Sequence, residues 1–82
     1  MKLFTSVPIR VITGMKEEKD FVAEISRRLK ITDSHLTKVI DDLEKGNFLI
    51  RHKKGRKTEL ELTKKGLEIR KHIEAIQRLI WI

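Results

Sequence analysis

Apolar residues recur along this chain with two different periods, and the change of period divides it into elements. Phe4, Pro8, Val11, Ile12 and Met15 fall at helical spacing, and Ser6 followed by Pro8 supplies an N-cap and a first-turn proline. The β-branched segment 7–13 is compatible with a strand as well. Residues 14–20 are charged and read as a connection, with Phe21 an isolated apolar residue at its end. Val22, Ile25 and Leu29 then share one face of a short second helix, 22–29. After the turn Lys30-Ile31, Thr32 is placed to cap a third helix. Its stripe Leu36, Val39, Ile40 and Leu43 keeps the i, i+3, i+4, i+7 pattern without a gap. Gly46-Asn47 ends that helix, since both residue types tolerate the left-handed backbone that a helix stop commonly needs.

Beyond Phe48, Leu49 and Ile50 the period changes. A basic block, Arg51-His52-Lys53-Lys54-Gly55-Arg56-Lys57, leads into Thr58-Glu59-Leu60-Glu61-Leu62, which alternates as a half-buried strand does. Two strands around a charged, Gly-containing loop form a hairpin. Thr63 caps a last helix with apolar residues at Leu67, Ile69, Ile73, Ile76 and Ile80. The predicted order is helix-helix-helix-hairpin-helix, a mainly α domain with a small β-hairpin. Helices two and three joined by a tight turn, with a basic hairpin directly after, make a winged helix-turn-helix.

Composition narrows the function. The 82 residues form one small domain, and a chain of this size buries only about 60–65% of its unfolded surface, so a partner subunit would add stability. Apolar residues are 39% of the chain, too many for a disordered tail. Cysteine is absent, which removes disulfides, thiolate chemistry and Cys-based zinc sites. No apolar run is long enough to span a membrane and no secretory segment opens the sequence, so a cytoplasmic location is expected. Nineteen Lys and Arg against twelve Asp and Glu leave a formal charge of +7, which favours a polyanionic partner. Asn47 and Gln77 are the only side-chain amides beside abundant Lys, Glu and Ile, a composition that leans towards a thermophile.

The third helix carries Ser34, Lys38, Asp41 and Lys45 opposite its apolar stripe, flanked by His35 and Thr37. The first half of that face is small, polar or basic and suits entry into the major groove of DNA, while the hairpin tip reaches phosphates or the minor groove. The acidic pair Asp41 and Asp42 would repel phosphates and is expected on the half of the helix facing away. Lys38 with Asp42, and Asp41 with Lys45, are i, i+4 pairs.

With these residues in place, the segment from Val7 to Ile76 resembles the MarR-type winged-helix transcription regulators. The similar pieces are Phe21-Val22-Ala23-Glu24-Ile25-Ser26-Arg27-Arg28-Leu29, then 34–45, then Leu60-Glu61-Leu62-Thr63-Lys64-Lys65-Gly66, which matches the family's Leu-x-Leu-Thr-x-x-Gly junction. The resemblance implies that Ser34, His35, Thr37 and Lys38 face bases and phosphates, and that Arg56 inserts into the minor groove. Two features depart from the family. Lys53-Lys54-Gly55 stands where its wing usually has an acidic residue, in a shorter loop. The family dimerises through a long N-terminal helix and one or two C-terminal helices, whereas here almost nothing precedes Ser6 and only one helix is expected after the wing, so DNA binding is expected to carry over better than dimer architecture or ligand sensing.

Each candidate has a plainer role. Ser34 and Thr37 also suit capping of the helix start, Lys38 pairing with Asp42, and Arg27 and Arg28 the negative end of a helix dipole. His35, His52 and His72 are scattered without carboxylates at ligand spacing, so no metal is expected. No arrangement of Ser, His and Asp, no Gly-rich phosphate loop and no paired carboxylates point to an enzyme or a cofactor. In the last helix Ile69, Ile73, Ile76 and Ile80 are spaced like a coiled-coil seam. Leu79, Trp81 and Ile82 widen it, and packing on the chain's own core is the alternative to dimerisation.

The sequence thus predicts a homodimeric regulator of archaeal type that binds double-stranded DNA. Residues 1–62 form the DNA-binding domain and 63–82 the dimerisation helix, through Ile69, Ile73, Ile76, Leu79, Ile80 and Trp81. Helix 32–45 occupies the major groove, with Ser34, His35, Thr37 and Lys38 as contacts. Wing 51–58 lies on the backbone or minor groove through Arg51, Lys53, Lys54, Arg56 and Lys57. No residue pattern identifies a small-molecule effector. An architectural chromatin-type protein and a winged helix used for protein contact are the other readings.

Overall fold

A computed structural model describes residues 6–81; Phe4 and Ile82 lie outside these, as does the side chain of Trp81. The chain runs α1 (Val7–Gly14), β1 (Lys19–Phe21), α2 (Val22–Leu29), α3 (Asp33–Lys45), β2 (Leu49–Lys54), β3 (Lys57–Leu62) and α4 (Lys64–Trp81). The β-branched opening segment is helical, begun by Ser6 in an extended conformation and by Pro8, though the Ser6 side chain makes no capping bond. Val11, Ile12 and Met15 are buried, whereas Pro8 is exposed.

The segment expected as a plain connection contains a strand. β1 pairs antiparallel with β3, giving a three-stranded sheet in the order β1-β3-β2 rather than an isolated hairpin. The pattern hides it because its inward position is Asp20, opposite Leu60, and not an apolar residue. Asp20 is 8% exposed. Its carboxylate accepts the Lys16 N–H at 2.9 Å, the Phe21 N–H at 2.9 Å and the Arg28 guanidinium at 2.7 Å. Burial pushes this carboxyl up, but the Lys16, Arg28 and Phe21 bonds together outweigh burial and hold it below its ordinary value. A group with a lowered folded-state pKa contributes stability above its unfolded value, 3.8 here, and loses it as pH falls through the lower folded value. Asp20→Asn is therefore expected to cost about 2 kcal/mol at neutral pH, the range for hydrogen bonds to a charged group. Urea melts from about pH 6 down to about pH 2 should show the gap between the two proteins closing only at the acid end. A gap independent of pH would exclude the ionised carboxylate as its source.

Helix ends follow local chemistry. Thr32 Oγ1 accepts the His35 N–H at a long 3.4 Å to start α3. At its C-terminus it is Asn47, at φ 64, that takes the left-handed conformation, while Gly46 sits at φ −81. The Asn47 N–H donates to the Glu44 carbonyl and the Phe48 N–H to the Leu43 carbonyl, the paired bonds of a Schellman stop. α2 ends with Lys30 at φ 57.

The core joins α1, α2, α3 and the inner sheet face, with Val11, Ile25, Leu36 and Leu60 fully buried. α4 divides its apolar stripe. Leu67 and Ile69 pack on the core and Ile73 is buried, but Ile76 is 46%, Leu79 79% and Ile80 43% exposed. The first half of the expected dimer seam is thus engaged within the chain itself. Thr63 locks the wing to α4: its N–H donates to the Phe48 carbonyl, and its hydroxyl oxygen accepts the Gly66 N–H at 3.1 Å.

Candidate nucleic-acid interface

α3 turns its apolar stripe inward, which leaves Ser34, His35, Thr37 and Lys38 exposed on the opposite face. Ser34, His35 and Lys38 line one shallow hollow of about 260 Å³. The capping role falls to Thr32, so the Ser34 hydroxyl is left without a partner among the described residues. The Thr37 hydroxyl donates to the Asp33 carbonyl at 2.8 Å, which leaves its oxygen to accept. Lys38 forms no ion pair among the described residues, and neither of the i, i+4 pairs expected along α3 is present.

Strand alternation sorts the basic block by side. β2 and β3 pair in a register that places Arg51 opposite Leu60 and Lys53 opposite Thr58, on the side facing α3. Arg51, Lys53 and Thr58 face Thr37, Val22 and Ile40 across an open cleft of about 420 Å³. His52 and Lys54 point to the other side. There His52 Nε2 lies 2.8 Å from Glu61 Oε1, and Lys54 Nζ 3.0 Å from Glu59 Oε1. At the tip, Gly55 takes φ 63 to close the turn, and Arg56 is exposed without an ion pair among the described residues. Lys57 lies 5.4 Å above the Phe21 ring. Arg56, Lys57 and Thr58 also rim a second hollow shared with Ala23 and Asp33 at the starts of α2 and α3.

The cations expected to act alike therefore differ. Lys38, Lys53 and Arg56 are exposed and without an acidic neighbour in contact, whereas Lys54 is paired. Arg51 bridges Asp41 and Glu44 of α3 at 2.8 and 2.7 Å. Hydrogen bonding from Arg51 holds the Glu44 carboxyl below its ordinary value, and Glu44 in turn raises Arg51. Asp41 accordingly leans towards the wing strand, while Asp42 is exposed. Val22 and Thr58 line the cleft as well, Thr58 from within the expected wing 51–58 and Val22 from a helix whose apolar stripe does not mark it as part of a site. The i, i+2 alternation of Arg51 and Lys53, with Thr58 opposite Lys53, places these side chains on one side of the sheet. Among the described residues no helix is long and apolar enough to cross a membrane.

Solved structures share this architecture. AF1382 from Archaeoglobus fulgidus is 19% identical with a TM-score of 0.88, over 96% of this chain and 92% of that one. Streptococcus pneumoniae FabT, in complex with DNA, is 21% identical with a TM-score of 0.81, and the match takes in 96% of this chain and 63% of FabT. An ArsR family transcriptional regulator is 20% identical with a TM-score of 0.62, over 98% and 84% of the two chains. No curated protein matches in sequence. A family model described as winged helix DNA-binding domain matches residues 6–66, from the start of α1 through the wing to the Thr63–Gly66 junction. With the exposed face of α3 set beside a basic wing, the chain belongs to the winged helix DNA-binding domain family.

Proposed function

We propose that the chain is a homodimeric, sequence-reading transcription regulator of MarR type that acts on double-stranded DNA in the cytoplasm and has no enzymatic activity. The observation that carries this reading is the exposed face Ser34-His35-Thr37-Lys38 beside a cleft whose far wall presents Lys53, with Arg56 at the wing tip. A helix of 13 residues is about 20 Å long and fits a major groove about 12 Å wide, where hydroxyl, imidazole and ammonium groups meet base edges and phosphates. Lys53, Arg56 and Lys57 then lie along the flanking backbone or minor groove. FabT was solved with DNA on the same fold, which supports a duplex as the partner.

The exposed residues Ile76, Leu79 and Ile80 at the end of α4 supply the dimer contact, so within 63–82 the last turns serve dimerisation while the chain before them serves DNA. A two-fold axis through that contact sets half-sites about one helical turn, or a multiple of it, apart. The experiment is selection of bound sequences from a random duplex pool at about 150 mM salt, where nonspecific attraction is screened. An enriched inverted repeat is the expected result. Retention without enrichment would replace this reading with an architectural role, which the +7 charge favours. No retention even at low salt would reject DNA as the partner.

A further inference from the structure

Five basic residues crowd the wing, yet the one nearest α3 has its charge engaged inside the molecule. The guanidinium of Arg51 donates from Nε and Nη2 to Glu44 Oε1 at 3.1 and 2.7 Å, and its Nη2 lies 2.8 Å from Asp41 Oδ1. We propose that Arg51 is a positioning residue for DNA binding and not a phosphate ligand: it neutralises the two carboxylates that would otherwise face the duplex from the recognition helix. The inference rests on the DNA-binding reading above.

Three observations support it. First, β2 follows α3 after only Gly46, Asn47 and Phe48, which brings Arg51, the third residue of the strand, back alongside the last turns of the helix, where Asp41 and Glu44 stand. Second, all three side chains are between 36% and 44% exposed, so the bridge contributes little to stability. Its consequence is electrostatic: Asp41 is one helical turn from Thr37 and Lys38, well within a Debye length of any phosphate they touch. Third, Lys53 sits two residues along on the same side of β2 with no acidic partner among the described residues. It can bind phosphate without giving up an existing ion pair. To do the same, Arg51 would have to abandon two carboxylates and leave both unpaired beside the nucleic acid.

The test compares affinity and salt dependence on a mixed-sequence duplex of about 30 base pairs. The proteins are the intact chain and its variants Arg51→Met, Arg51→Lys, Lys53→Met and the triple Arg51→Met/Asp41→Asn/Glu44→Gln. Arg51→Met should bind about tenfold more weakly with its salt slope unchanged, because no phosphate contact is lost. Arg51→Lys keeps the charge but cannot span both acids, and should also weaken binding at constant slope. The triple variant, with all three charges removed, should return to within about threefold of the parent at the same slope, while Lys53→Met alone lowers the slope by about 0.9. A triple variant whose slope falls by about 0.9, or an Arg51→Lys variant that binds like the parent, would overturn the proposal. Thermal melts identify any variant that fails to fold, in which case Arg51→Lys decides. If the unmodified chain binds no duplex at any salt, the DNA-binding reading fails instead.

Discussion

Gly66→Ala is expected to lower the thermal midpoint by about 10–20 °C, although the same change inside an exposed helix would stabilise it by about 1 kcal/mol. Gly66 is the third residue of α4. A Cβ built there would lie 2.0 Å from the Phe48 carbonyl oxygen and 3.1 Å from both Phe48 C and Leu62 Cδ2. Backbone cannot yield as a side-chain tip can. Phe48 is held from one side by its N–H bond to Leu43 and from the other by the Thr63 N–H on its carbonyl. Relief therefore requires the start of α4 to part from the turn between α3 and the wing, at a cost of about 2–3 kcal/mol. Gly55→Ala is the control. It meets no atom within 4 Å but stands at φ 63, so only a loss of about 1 kcal/mol from backbone strain is expected. Calorimetry on the three proteins settles the order, and a Gly66→Ala protein as stable as the parent would mean that the junction is looser than described.

Arg56→Ala combined with Lys57→Ala should weaken duplex binding about 60-fold at about 0.1 M salt and reduce the salt slope by about 1.8. Each cation removed from a phosphate takes about 0.9 from the slope, and the loss in log affinity accumulates over the decade below about 1 M salt. Arg56 makes no ion pair among the described residues, and Lys57 contributes only its contact with the Phe21 ring. The variant should therefore melt close to the parent. Titration across a salt series by fluorescence anisotropy provides both numbers. An unchanged slope would take the wing tip off the DNA.

Much of this molecule is legible in its linear pattern because much of it is local. The stripe Leu36, Val39, Ile40, Leu43 specifies which side of α3 is buried, and with it which residues remain outside. Thr32 and Thr63 mark helix starts that their own hydroxyls go on to cap. Alternation in 58–62 identifies β3, with Leu60 and Leu62 buried as that pattern requires. These features depend on a backbone period and on neighbours within four residues, so the order of residues suffices to determine them.

Other features depend on partners far apart in the chain. Asp20 becomes an inward residue of a strand because Arg28 and two backbone N–H groups converge on it, and no hydrophobic period announces that. The wing's cations look equivalent in sequence, but register sends Lys54 to Glu59 and leaves Lys53 in the cleft, and the angle between β2 and α3 brings Arg51 to Asp41 and Glu44. Likewise the stripe of α4 is continuous in sequence. It is the length of the core beneath it that buries Ile73 and leaves Leu79 in solvent. Residue order determined the helices, the hairpin and their faces; the edge strand built on Asp20, charge pairing and the division of an apolar stripe depend on distances across the fold, which a one-dimensional period does not contain.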